Sequence, residues 1–178
     1  MLETSTVVLP DFAAGAVNLA SARLGAVGIF STDEFFAPVS RMLNDDPATF
    51  DPDLYDDNGK YMDGWESRRK RVPGHDYAII RLAMPGRIFG FDVDTRFFTG
   101  NYPPHGSIEA AFVESGDPTE ATVWTELVAK SPLGASARRR TMSRRSKPIS
   151  GRRASPTPSR SPTYCAATRA GAAARPQT

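Results

Sequence analysis

Apolar positions recur at two different spacings along the chain, and the second dominates. In the N-terminal part, Leu24–Phe30 is a short apolar run that predicts a buried strand. Ser31-Thr32-Asp33 supplies helix-capping residues before Glu34–Leu43. There Phe35, Phe36, Val39 and Leu43 fall near helical spacing and predict one or two turns. Beyond residue 76 the period becomes two. Tyr77–Met84 places Ala78, Ile80, Leu82 and Met84 on one face. Pro85-Gly86 marks a turn, and Arg87–Asp94 sets Phe89, Phe91 and Val93 against Ile88, Gly90, Asp92 and Asp94. Ser107–Val113 alternates through Ile108, Ala110 and Phe112, and Thr122–Val128 around Trp124 predicts a last strand. Short strands separated by Gly, Pro and Asp turns predict an all-β antiparallel sandwich.

Charge divides the chain in two. Residues 1–126 hold all 20 acidic residues and 10 of the 22 cations, a balance of −10, whereas residues 127–178 hold the other 12 cations and no acid. From about Ala135 the chain has no Leu, Val, Phe or Trp and is rich in Arg, Ser, Ala, Pro and Thr. By burial alone such a segment cannot offset its ordering entropy, so 1–134 reads as the folded part and 135–178 as a disordered basic tail. Out-of-frame reading of a GC-rich gene would give the same tail composition. A basic Ser/Arg tail could also hold nucleic acid through phosphates. Tyr164 is its sole aromatic and no nucleic-acid module is recognisable, which ranks that reading last.

One cysteine, Cys165, rules out an intrachain disulfide and a Cys-based zinc site, and fits a reducing compartment. The N-terminus shows no basic stretch leading into a long apolar run. Nothing approaches the roughly 18 apolar residues of a membrane span. A cytoplasmic chain without membrane partners is expected.

The chemistry concentrates in residues 59–76, GKYMDGWESRRKRVPGHD. Gly59, Gly64, Pro73 and Gly74 break regular structure there, while Asp63, Glu66, four consecutive cations, His75 and Asp76 crowd the loop. A solvated charged loop beside one buried Trp is the plain alternative.

The runs FDPDLYDDNGKYMDGWESRRKR (50–71), PGHDYAIIRLAMPG (73–86), FDVDTRFFTGNYPPHGSIEA (91–110) and WTELVAKSPL (124–133) resemble the first repeat of the allantoicase (allantoate amidinohydrolase) family. Shorter matches are VNLAS (17–21) and TDEFFAP (32–38). The resemblance implies a jelly-roll-like, galactose-binding-like sandwich used twice in tandem. It also implies hydrolysis of allantoate to ureidoglycolate and urea in purine breakdown, and a homo-oligomer in the intact family. After SPL the family continues into an arginine-bearing strand and a complete second repeat. Here the match is expected to stop near residue 134, which leaves the sandwich incomplete, its edge exposed and the activity of this chain open.

Allantoate carries a carboxylate and two ureido groups on one carbon. Releasing urea breaks a C–N bond, so the leaving nitrogen needs a proton and water needs a base. Arg68 and Arg69 are candidates to grip the carboxylate. Glu66 and Asp63 are candidate bases or ureido acceptors, His75 a candidate for proton transfer and Asp76 a catalytic candidate that could orient His75 or a metal, while Asp94, Thr95 and Asn101 could close the pocket. Ion pairing, turn capping or a solvated face is the plain alternative for these residues. Trp65, Phe97 and Phe98 fit a core or pocket wall. No cofactor is evident. Asp63, Glu66, Asp76 and His75 together could hold a divalent ion, but no metal-ligand motif supports it. A non-catalytic jelly-roll module binding a small ligand or carbohydrate is the competing function, because fold alone does not settle activity.

Overall fold

The computed structural model describes residues 1–4, 11–142 and 163–171, the last of these as backbone only. Among the described residues the fold is all-β and antiparallel, with one turn of α-helix and two short 3-10 turns. The main sheet has five strands. They are β2 (Val27–Ser31), β6 (Asp76–Arg81), β8 (His105–Val113), β9 (Thr125–Pro132) and β11 (Thr163–Gly171), in the order β2-β6-β11-β8-β9. Three two-stranded ribbons complete the fold. β1 (Glu3–Thr4) pairs with β3 (Thr49–Phe50), β4 (Tyr55–Asp56) with β5 (Gly59–Lys60), and β7 (Gly90–Asp94) with β10 (Arg138–Met142).

The period-two pattern over Tyr77–Met84 produces β6. Its Asp76, Ala78 and Ile80 are buried on one face, and Tyr77, Ile79 and Arg81 are half-buried on the other. Leu82 still packs against the core, but Met84 is 42% exposed, because the strand ends at Arg81 before the Pro85-Gly86 turn. Val39 and Leu43 pack on Ala78 and Ile80, with Trp65 against the same cluster. The approach is close at Gly28 of β2, where an added Cβ would lie 2.5 Å from Val39 Cγ1. Only glycine fits there without a shift of the Val39 side chain or of the helix that carries it.

The helix is shorter than its pattern predicts. It occupies Val39–Met42 (α1), with Pro38 extended at its N-cap. Proline offers no N–H and drives the preceding residue out of the helical region, so Ala37 pairs instead with Glu66 through an antiparallel bridge. Glu34 Oε1 accepts the Val39 N–H at 2.8 Å and caps the helix from outside.

Two strands fall where composition predicts a disordered tail. β10 pairs along its length with β7, and β11 lies between β6 and β8. The composition argument weighs side-chain burial alone. Here the backbone of β11 is paired on both sides, which satisfies groups that would otherwise remain open on β6 and β8. Residues 143–162 and 172–178, on which the remainder of that expectation falls, lie outside the described residues.

Candidate active site

A cavity of about 1210 Å³ is lined from both parts of the fold. The main sheet contributes Ile80, Ile108 and Val128, and the β7–β10 ribbon contributes Phe91, Asp92, Asp94 and Arg138. The loops around Glu66 and Asn101 complete its lining. Of the nine residues singled out in the sequence, Asp63, Glu66, Arg68, Arg69, Asp76, Asp94, Thr95 and Asn101 line this one cavity. His75 does not: it is exposed, and its ring stands 6.2 Å from that of Tyr77.

Glu66 is held at both backbone and side chain. Its N–H and carbonyl bond to Ala37 at 3.1 and 3.0 Å, and its Oε1 accepts Asn101 Nδ2 at 2.6 Å. Burial pushes the Glu66 carboxyl up, and the Asn101 hydrogen bond offsets part of that rise. A carboxyl that keeps its proton more readily than usual suits proton transfer. Asn101 is presented by the loop 95–101. Phe98 of that loop seats on Gly64, where an added Cβ would lie 3.2 Å from its ring. Arg69 crosses to the same loop, and its Nη2 is 3.4 Å from the Gly100 carbonyl.

The other candidates have partners that explain them structurally. Arg68 Nε donates to Asp33 at 2.7 Å, its guanidinium lies over the Phe35 ring, and its side chain is 65% exposed. Burial pushes the Asp33 carboxyl up, but the hydrogen bonds from the Phe35 N–H and from Arg68 outweigh this and hold it below the usual carboxylate range. Asp63 accepts both the N–H and the hydroxyl of Thr49. Asp76 is 4% exposed and accepts Lys70 Nζ at 2.7 Å and Thr32 Oγ1 at 3.0 Å. Thr95 ties β7 to the start of β10, its hydroxyl donating to Gly134 at 2.7 Å and its N–H to Ala137 at 2.8 Å. Asp94 pairs with Arg96 and contacts Arg138. Asp63, Glu66, Asp76 and His75 do not come together as a metal site. Among the described residues no group of three His, Cys, Asp or Glu is placed to hold an ion.

The cavity lining also includes Asp92 and Arg138, which the sequence did not single out as candidates. Asp92 was visible as the middle polar position of the β7 alternation. Arg138 was hidden because its segment lacks apolar residues to mark a strand.

Comparison with known proteins agrees with this architecture. Residues 17–154, and so all of β10, match the family described as the allantoicase repeat. A probable allantoicase of Rhizobium meliloti (strain 1021) is 62% identical over 130 residues, 73% of this chain and 38% of that protein. One from Ralstonia nicotianae is 57% identical over 124 residues, 70% of this chain and 37% of that protein. The chain therefore spans less than two fifths of the length of these relatives. A crystal structure of allantoicase from Saccharomyces cerevisiae aligns at a TM-score of 0.64 with 26% identity, over 96% of this chain and 51% of that one. A further allantoicase structure aligns at 0.65 with 28% identity, over 87% and 44%. With more than half its length matched by the family, the chain belongs to the allantoicase repeat family.

Proposed function

We propose that this chain carries an allantoicase-type site, which hydrolyses allantoate to ureidoglycolate and urea in purine degradation. The supporting observation is the half-buried Glu66 carboxyl, held by Asn101 in a cavity that Arg69 also lines, with Arg69 reaching the neighbouring Gly100 carbonyl. Protonated Glu66 gives its proton to the ureido nitrogen as the bond from that nitrogen to the central carbon breaks, so urea leaves neutral. The bond breaks with the lone pair of the remaining ureido nitrogen stabilising the central carbon as an iminium; water adds to that carbon and its surplus proton returns to the Glu66 carboxylate. Arg69 takes the substrate carboxylate as a charge-assisted hydrogen bond. Arg68, occupied by Asp33 and largely exposed, supports the loop. The same reading includes a cytoplasmic setting and assembly with further copies. Among the described residues no helix is long and apolar enough to cross a membrane.

Urea release from allantoate by the 178-residue chain tests the reading. Glu66→Gln is expected to lower turnover by about 100-fold or more, the lower end of what general acid–base catalysis contributes. Arg68→Ala is expected to stay within a few-fold of the parent. Turnover unchanged in Glu66→Gln overturns the assignment.

A further inference from the structure

Asp92 and Arg138 form an ion pair that leaves most of its hydrogen-bonding capacity unused. Arg138 Nη2 lies 2.8 Å from Asp92 Oδ2, close enough for Coulomb attraction. The angles do not make a hydrogen bond, and both Asp92 oxygens and Arg138 Nε and Nη1 are buried without a hydrogen-bond partner among the described residues. Arg138 Nε reaches only to 3.4 Å from Asp94. A buried ion pair recovers its desolvation cost only when its remaining donors and acceptors are satisfied. Four orphaned polar atoms in one pair therefore call for a partner beyond the described residues.

The backbone holds the pair in place. The register sets Arg138 opposite Asp94 and Arg140 opposite Asp92, so Asp92 and Arg138 are diagonal neighbours on one face of the ribbon. Thr95 fixes the entry of β10 through Gly134 and Ala137. Both side chains line the cavity that holds Glu66, and each keeps about a fifth of its surface open (22% and 19%). The loop that begins at Thr95 ends at Asn101, on Glu66.

Resting on the function proposed above, we infer that Asp92 and Arg138 are a second recognition dyad of this cavity, for a small ligand that carries both a carboxylate and a ureido group. Arg138 donates to the carboxylate, and Asp92 accepts the ureido N–H groups once either side chain turns toward the cavity. A ligand bearing one of these groups alone satisfies half of the dyad.

N-carbamoylglycine, which has one carboxylate and one ureido group, is the probe, with acetate and urea as half-probes. Calorimetric titration of the full chain is expected to show N-carbamoylglycine bound at least tenfold more tightly than either half-probe. Arg138→Lys and Asp92→Asn should each weaken it at least tenfold. The double variant Asp92→Leu/Arg138→Met replaces the pair by apolar residues, a change that often leaves folding intact. It should keep its thermal transition and lose the probe. The Arg138 Nε–H resonance of the parent, assigned by its loss in Arg138→Lys, should move on titration, and this does not depend on any variant folding. Equal binding by parent and double variant, or an unmoved resonance, overturns the dyad. Urea release that is indifferent to both residues would sink the dyad and leave the proposed function standing. Dyad-dependent binding without any urea release from allantoate would do the reverse.

Discussion

At the residue scale the proposed site rests on one contact, Asn101 Nδ2 to Glu66 Oε1 at 2.6 Å. That bond favours the ionised carboxylate, so removing it leaves burial unopposed. Asn101→Ala is expected to raise the Glu66 titration further and, since Glu66 acts in its protonated form, to move the alkaline limb of the pH–rate profile upward. A carbon-13 titration of the Glu66 carboxyl would show the same displacement without relying on turnover. Because the Glu66 carboxyl is raised on folding, its contribution to stability is full below the unfolded carboxylate range and is lost as pH rises through its folded value. Asp33 has the opposite sign: its contribution is present above about pH 4 and is lost as pH falls through its depressed folded value. Residue types and loop punctuation made Glu66 and Asn101 legible as candidates. Their pairing across 35 positions was not legible, and neither was the structural employment of Asp63 and Asp76 by Thr49, Lys70 and Thr32.

At the scale of elements, alternation was a sound guide where a strand has one buried face, as in β6. It misjudged the helix, because the helical spacing of Phe35 and Phe36 carries no information about Pro38, which delays the helix to Val39. The packing of that helix on β2 gives a sharp expectation. Gly28→Ala puts a methyl group into Val39 and should cost about 1–3 kcal/mol, as overpacking does, read as a lower denaturant midpoint with an unchanged m-value. A variant as stable as the parent would show that α1 can shift at little cost.

For the whole molecule, the decisive fact is the place of β11. It holds nine residues in register with β8 and six with β6. Composition could not reveal this, since TYCAATRAG offers little apolar surface and a strand between two open edges is held by its backbone. Thr168→Pro removes a ladder donor in a central strand and should lower stability by about 1–3 kcal/mol, read as a thermal transition at lower temperature. An unchanged transition would mean that β6 and β8 hold together without it.

The order of assembly follows from the same placement. On the ribosome, residues 76–81 and 105–113 emerge long before residues 163–171, yet the latter separate the former in the finished sheet. Two of the longest strands must wait with unfilled edges while some fifty further residues are made. Closure of the sheet is then an event that follows translation of this region, and a chaperone that shields bare strand edges would find its substrate in that interval.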